Sequence, residues 1–151
     1  MQLSLLIPAA NEMFLKNTIE DALKNIEADT EIIAVLDGQW AEPRLKQHDR
    51  GNLIYCTTPV GQRAATNLAA KLSRAKYVMK CDAHCAFDKG FDVKLMADCE
   101  DDWTVIPRMY NLHAFNWICQ DCGHSRYQGP KKCEKCVSEN VEMEVVWQPR
   151  R

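Results

Sequence analysis

Two groups of residues in this chain have the types and spacing to do chemistry. The first is Asp82-Ala83-His84, which closes the apolar run Tyr77-Val78-Met79-Lys80-Cys81. A carboxylate and an imidazole two positions apart share one side of an extended backbone if strand geometry persists that far. One hard oxygen and one borderline nitrogen donor suit Mn²⁺, or Mg²⁺, held against phosphates that supply the remaining oxygens. The second group is Cys119-Gln120-Asp121-Cys122 with Cys133-Glu134-Lys135-Cys136. Two C-x₂-C knuckles at this separation fit a zinc ribbon, a closed tetrahedral Cys₄ site of structural Zn²⁺. Gly123 follows the first knuckle, where the chain must turn tightly beneath the sulfurs. The connecting segment 123–132 is too polar to order itself, and zinc, at roughly 10–16 kcal/mol in small peptides, supplies that deficit.

The elements needed to position Asp82 and His84 are legible around them. Leu3-Ser4-Leu5-Leu6-Ile7-Pro8 and Glu31-Ile32-Ile33-Ala34-Val35-Leu36-Asp37-Gly38 are continuous apolar runs, as expected of parallel strands covered on both faces. Between them Leu15, Ile19, Ala22, Leu23 and Ile26 share one helical stripe, and Thr18 with Asp21 has the spacing of a capping box at an internal helix start. Asn52–Cys56 reads as a third strand. A helix over 61–73 follows, with Ala64, Ala65, Leu68, Ala69 and Leu72 facing inward, and then the strand that carries Asp82. A further helix, Phe91–Cys99, leads to Trp103–Pro107 as another strand. This alternation predicts an α/β fold, Rossmann-like, with a mostly parallel sheet and helices on both faces. In such sheets ligands bind in the crevice beyond the carboxyl ends of the strands, which is where Asp82 falls.

Composition bounds the function classes. With 151 residues, 46% of them hydrophobic, the chain can bury a substantial core. A net charge of −2 gives no global electrostatic case for nucleic-acid binding. No apolar run of membrane-spanning length and no leader of signal-peptide pattern is present, so a cytoplasmic protein without membrane association is expected. Of eight cysteines, Cys56, Cys81, Cys85 and Cys99 are scattered, which argues against a disulfide framework. Cys81 and Cys85 flank the Asp82 motif and read as small buried hydrophobes rather than ligands.

Over residues 1–117 the chain resembles GT-A glycosyltransferases of the family 2 type. The motifs stand in order: Ile7-Pro8-Ala9-Ala10-Asn11-Glu12, Leu15-x-x-Thr18-Ile19-x-x-Ala22-Leu23, Leu36-Asp37-Gly38, Gly61-Gln62-Arg63-Ala64-Ala65-Thr66-Asn67 and Asp82-Ala83-His84-Cys85. The last has the Asp-x-His form of polypeptide N-acetylgalactosaminyltransferases. The resemblance implies a nucleotide-sugar-binding domain over 1–117, a zinc-ribbon insertion over 118–138, and a strand over 139–151 returning to the main domain. It implies a UDP-sugar donor, with Pro8, Ala9, Asn11, Glu12 and Asp37 on the nucleoside, Gly61 and Arg63 near the diphosphate, and Asp82 and His84 on the metal. The residues alone leave alternatives open. Pro8 could simply end a strand, Asn11 cap a turn, Asp37 cap the next helix and Arg63 be a solvated helix arginine.

After His84 the match fades. Ala114-Phe115-Asn116-Trp117 faintly resembles the post-metal segment of the N-acetylgalactosaminyltransferases, and Val141, Met143, Val145 and Trp147 would share one face of the returning strand. The acceptor region is expected to be short or absent, from truncation or because another chain supplies it. Glu142, Glu144 and Asp102 are conceivable bases, and none is assigned; His113 reads as structural. The leading expectation is a metal-dependent hexosyltransferase acting on a hydroxyl of a polypeptide or of a modified nucleic-acid base. The alternative is a non-catalytic nucleotide-sugar-binding or zinc-ribbon interaction module. A nucleotidyltransferase is disfavoured because the first loop lacks a glycine-rich basic signature.

Overall fold

The computed structural model describes residues 1–150. It divides into two compact units, Met1–Pro107 and a second that begins at Arg108. The division falls earlier than the boundary expected at residue 117.

In the first unit, β1 (Leu3–Ala9), α1 (Leu15–Asn25), β2 (Thr30–Asp37), β3 (Gly51–Cys56), α2 (Gln62–Leu72), β4 (Tyr77–Lys80) and α3 (Phe91–Ala97) follow in sequence. All four strands are parallel, in the order β3-β2-β1-β4. β1 is fully buried and β2 nearly so, which explains their unbroken apolar sequences. The pleat sorts their side chains between two cores. Leu5, Ile7, Ile32, Ala34 and Leu36 pack with Leu15, Ile19 and Ala22 of α1 and with Phe91 of α3. Leu6, Ile33 and Val35 pack with Ala65 and Ala69 of α2 on the other face. The chain winds outward from β1 to β3 and then crosses back to β4 on the other side of β1. That reversal opens a crevice beyond the carboxyl ends of β1 and β4.

Asp92 ties this unit together. Fully buried, it accepts hydrogen bonds from the amides of Glu27, Ala28 and Val93 and from Thr30 Oγ1. Burial alone would raise its pKa, and these four donors outweigh that and hold it below the ordinary value.

Several expectations are corrected. β4 ends at Lys80, so Asp82 and His84 lie past the strand on a turn rather than on its extended backbone. Residues 103–107 form no strand; Trp103 is 57% and Ile106 79% exposed. An apolar run without a pairing neighbour does not become a strand. Ala64 and Leu72 face outward, leaving Ala65, Ala69 and the partly buried Leu68 as the inner face of α2. Thr18 and Asp21 form no capping box, because α1 already begins at Leu15.

The second unit is an antiparallel sheet in the order β6-β5-β7, built from β5 (Asn111–Cys119), β6 (Ser125–Tyr127) and β7 (Val141–Arg150). Cys119 pairs with Val141, so both knuckles sit at the closed end of the β5–β7 ladder. A register shift between His113 and Phe115 interrupts that ladder. Met143 and Val145 remain exposed on β7, and Val141 alone of the expected apolar face is buried.

Candidate nucleotide and metal site

Beyond the ends of β1, β2 and β4 lies a cavity of about 220 Å³ lined by Pro8, Ala9, Ala10, Glu12, Asp37, Gln62, Ala65, Asp82, Ala83 and His84. The topology therefore gathers Pro8, Ala9, Glu12, Asp37, Asp82 and His84 around one space, although they come from three separate segments. Three expected residues are not part of the lining. Asn11 sits exposed at φ +52°, turning the chain out of β1, while Gly61 and Arg63 are exposed at the start of α2.

Asp37 is buried at the end of β2, and its two carboxylate oxygens accept the amides of Val60 and Gly61 at 2.7 and 2.8 Å. It thus holds the segment that opens α2, and Gly61 adopts φ +86° there. The adjoining turn is equally constrained. Gly38 has φ +81°, and a Cβ on it would come within 2.5 Å of Pro59 Cγ.

Asp82 Oδ1 receives the Lys80 ammonium as an ion pair and Gln62 Nε2 at 3.3 Å. The Lys80 contact is the main reason the carboxyl titrates below its ordinary value. Across the cavity His84 Nδ1 lies 3.1 Å from Glu12 Oε2. Gln62 stands inside the Gly61–Asn67 motif but was given no role there, and Lys80 belongs to no motif. Lys80 could have been found from strand alternation, since it stands two residues before Asp82.

The turn bearing Asp82 and His84 is clamped from below by α1. The buried Thr18 hydroxyl donates to the Ala83 carbonyl at 2.9 Å and accepts the Cys85 amide at 3.0 Å. Asp21 Oδ2 accepts the Phe87 amide at 2.7 Å. The Thr18/Asp21 spacing is thus the signature of a loop anchor. The buried Cys81 and its neighbour Cys85 influence each other, so that the Cys85 thiol falls to about 7 while the Cys81 thiol is pushed up. Neither sulfur lines the cavity.

The donor set fits a divalent cation bound together with a ligand that brings its own oxygens. Asp82 offers Oδ2, and among the described residues His84 Nε2 makes no hydrogen bond. By themselves these residues do not build a complete cage. Among the described residues, the one group of three or more His, Cys, Asp or Glu whose ligand atoms all lie within 4.8 Å is Cys119, Cys122, Cys133 and Cys136.

In that group the sulfurs of Cys119 and Cys136 are 3.5 Å apart and those of Cys122 and Cys133 are 3.7 Å apart. A tetrahedron of sulfurs about 2.3 Å from a central zinc has edges of about 3.8 Å, so these two spacings are compatible with a zinc site. The Cys136 amide donates to Cys133 Sγ at 3.5 Å and is the main cause lowering that thiol to about 6, while the neighbouring sulfurs push the Cys136 thiol up to about 12.

Comparison with known proteins agrees with this fold. Residues 4–117 match the family described as Glycosyl transferase family 2. The chain belongs to this family. No curated protein sequence matches it significantly. Among solved structures it is similar to the crystal structure of S. aureus TarS 1-349, with a TM-score of 0.52 and 14% identity over 76% of this chain. It covers 41% of that TarS chain, about two fifths of its length, and the likeness is one of fold. The chain accordingly carries a GT-A fold of the family 2 type, and the Cys₄ cluster of its second unit is compatible with a zinc ribbon.

Proposed function

We propose that the protein transfers a sugar from a UDP-sugar to a hydroxyl acceptor with the help of Mn²⁺ or Mg²⁺. The observation that carries this reading is the convergence of the β1 loop, Asp37 and the Asp82/His84 turn on one cavity at the switch point of a parallel sheet. Family membership supports it independently.

In this reading Asp82 and His84 would hold the cation, whose charge, when bound, offsets the negative charge that builds on the leaving diphosphate. The chain's own residues do the rest. Asp37 fixes the opening of α2, and Pro8 to Glu12 with Asp37 form the wall against which the nucleoside rests. Arg63, exposed on the first turn of α2, is available to the diphosphate as a mobile cation. Lys80 neutralises Asp82 until the cation arrives, so an isolated carboxylate is never left facing incoming phosphates. The clamp of Thr18 and Asp21 on the turn keeps both metal ligands at a fixed height above the sheet. No general base is assigned, and polypeptide and modified-base hydroxyls are both open as acceptors.

The test is incubation of the zinc-replete protein with UDP-[¹⁴C]sugars and Mn²⁺, reading release of labelled sugar from the nucleotide. Metal-dependent release that is abolished in Asp82→Ala supports the reading. Release that is unchanged in Asp82→Ala refutes it.

A further inference from the structure

His84 is the weaker half of the candidate metal pair, because its side chain is 58% exposed and little else restrains the ring. Its one hydrogen bond among the described residues is to Glu12, whose Oε2 lies 3.1 Å from Nδ1. Glu12 is well placed to hold it. The carboxylate is only 24% exposed, and its other oxygen accepts the Phe14 amide at 3.2 Å, just ahead of α1. Backbone geometry at the start of α1 therefore fixes Glu12, and Glu12 in turn fixes the ring.

The chemistry of this contact has a definite consequence. An ionised carboxylate only accepts hydrogen bonds, so a neutral imidazole beside it must carry its proton on Nδ1. The lone pair is then on Nε2, the atom free to face a cation. A histidine in water favours the opposite tautomer, with its proton on Nε2 and that donor blocked. Metal-bound histidines generally give their second N–H to a carboxylate or carbonyl for this reason, and loss of that partner typically weakens metal binding about 10–100-fold.

We propose that Glu12 is a positioning residue that locks His84 in the Nδ1–H tautomer and so presents Nε2 as the nitrogen donor for a divalent cation shared with Asp82. This deepens the donor-site reading and rests on it. It also gives Glu12 a role other than nucleoside contact, carried by a side chain 72 positions away from its partner.

Long-range ¹H–¹⁵N spectra of the labelled, metal-free protein at pH 8 read the tautomer directly, with His84→Ala assigning its signals among the four histidines. The Nδ1–H form is expected in the unaltered protein, and a shift toward Nε2–H in Glu12→Ala. Mn²⁺ titration in the presence of UDP, followed by electron paramagnetic resonance, gives the second readout. Glu12→Ala is expected to weaken Mn²⁺ about 10–100-fold, and Glu12→Ala/His84→Ala to be no weaker than His84→Ala alone. An Nε2–H ring in a protein that binds Mn²⁺, or additive effects of the two substitutions, overturns the proposal by itself. An Nδ1–H ring in a protein that binds no Mn²⁺ overturns the donor-site reading and the proposal with it.

Discussion

Removing the metal from the Cys₄ cluster should unfold the second unit. Among the described residues of this unit, Ala114, Cys119, Cys133 and Val141 are the buried hydrophobic ones. Full burial of a valine-sized side chain contributes about 1.5–3 kcal/mol, and the smaller residues contribute less each. A structural zinc at roughly 10–16 kcal/mol exceeds all of them together. The sulfur spacings of 3.5 and 3.7 Å already match a tetrahedral zinc, so the folded ribbon loses little by rearrangement when it binds. Cys133→Ser removes one of the four sulfurs of the cluster and should act like a chelator. X-ray absorption of the purified protein is expected to show four sulfurs at about 2.3 Å. Hydrogen exchange read by mass spectrometry should show protected amides in β5 and β7 becoming freely exchanging after chelation or in Cys133→Ser, with α1 and β2 unaffected. Stoichiometric zinc absent from the protein, or protection in β5 and β7 that survives its removal, would refute the reasoning.

Other predictions concern the first unit. Asp92→Asn puts an amide donor among four donors and should cost about 1–3 kcal/mol in urea unfolding, because buried donors are left unsatisfied. Because the folded pKa of Asp92 lies below its unfolded value near 3.9, its contribution is complete above that value and lost as pH falls through the folded one. The variant should therefore show a shallower acid limb in its stability–pH profile. Lys80→Met removes the competitor for Asp82. Since that ion pair is half exposed and worth about 1 kcal/mol at most, Mn²⁺ should bind up to about fivefold more tightly at pH 7. The same change lets the Asp82 carboxyl rise toward its ordinary pKa, so acid loss of Mn²⁺ should set in at a higher pH, measurable by calorimetry. Thr18→Val leaves the Cys85 amide and the Ala83 carbonyl without their partner. About 2–3 kcal/mol should be lost in thermal unfolding, and Mn²⁺ affinity should fall with it.

How much of this was legible in the sequence depended on which forces acted. The strands and helices of residues 1–100 were readable because burial on both faces leaves continuous apolar runs in β1 and β2, and one-sided burial leaves the α1 stripe. The knuckles were readable because metal chemistry dictates ligand type and spacing locally. Residues 103–107 were misread because strand formation needs a pairing neighbour, which an apolar run does not reveal. Within α2 the choice between Ala64 and Ala65 as the inner residue turned on tertiary packing that periodicity alone left ambiguous. Gln62, Lys80 and the Thr18 clamp were hidden for the same reason, since their partners are distant in sequence or become neighbours only at the turn past β4. Glu12 carried a family motif, yet its contact with His84 follows from topology alone.

The most direct test of the donor site is calorimetric titration of UDP into the zinc-replete protein with and without Mn²⁺, repeated on Asp82→Ala. The account predicts binding that requires Mn²⁺ and disappears in the variant. Binding indifferent to Mn²⁺ and to Asp82, or no binding under either condition, would contradict it.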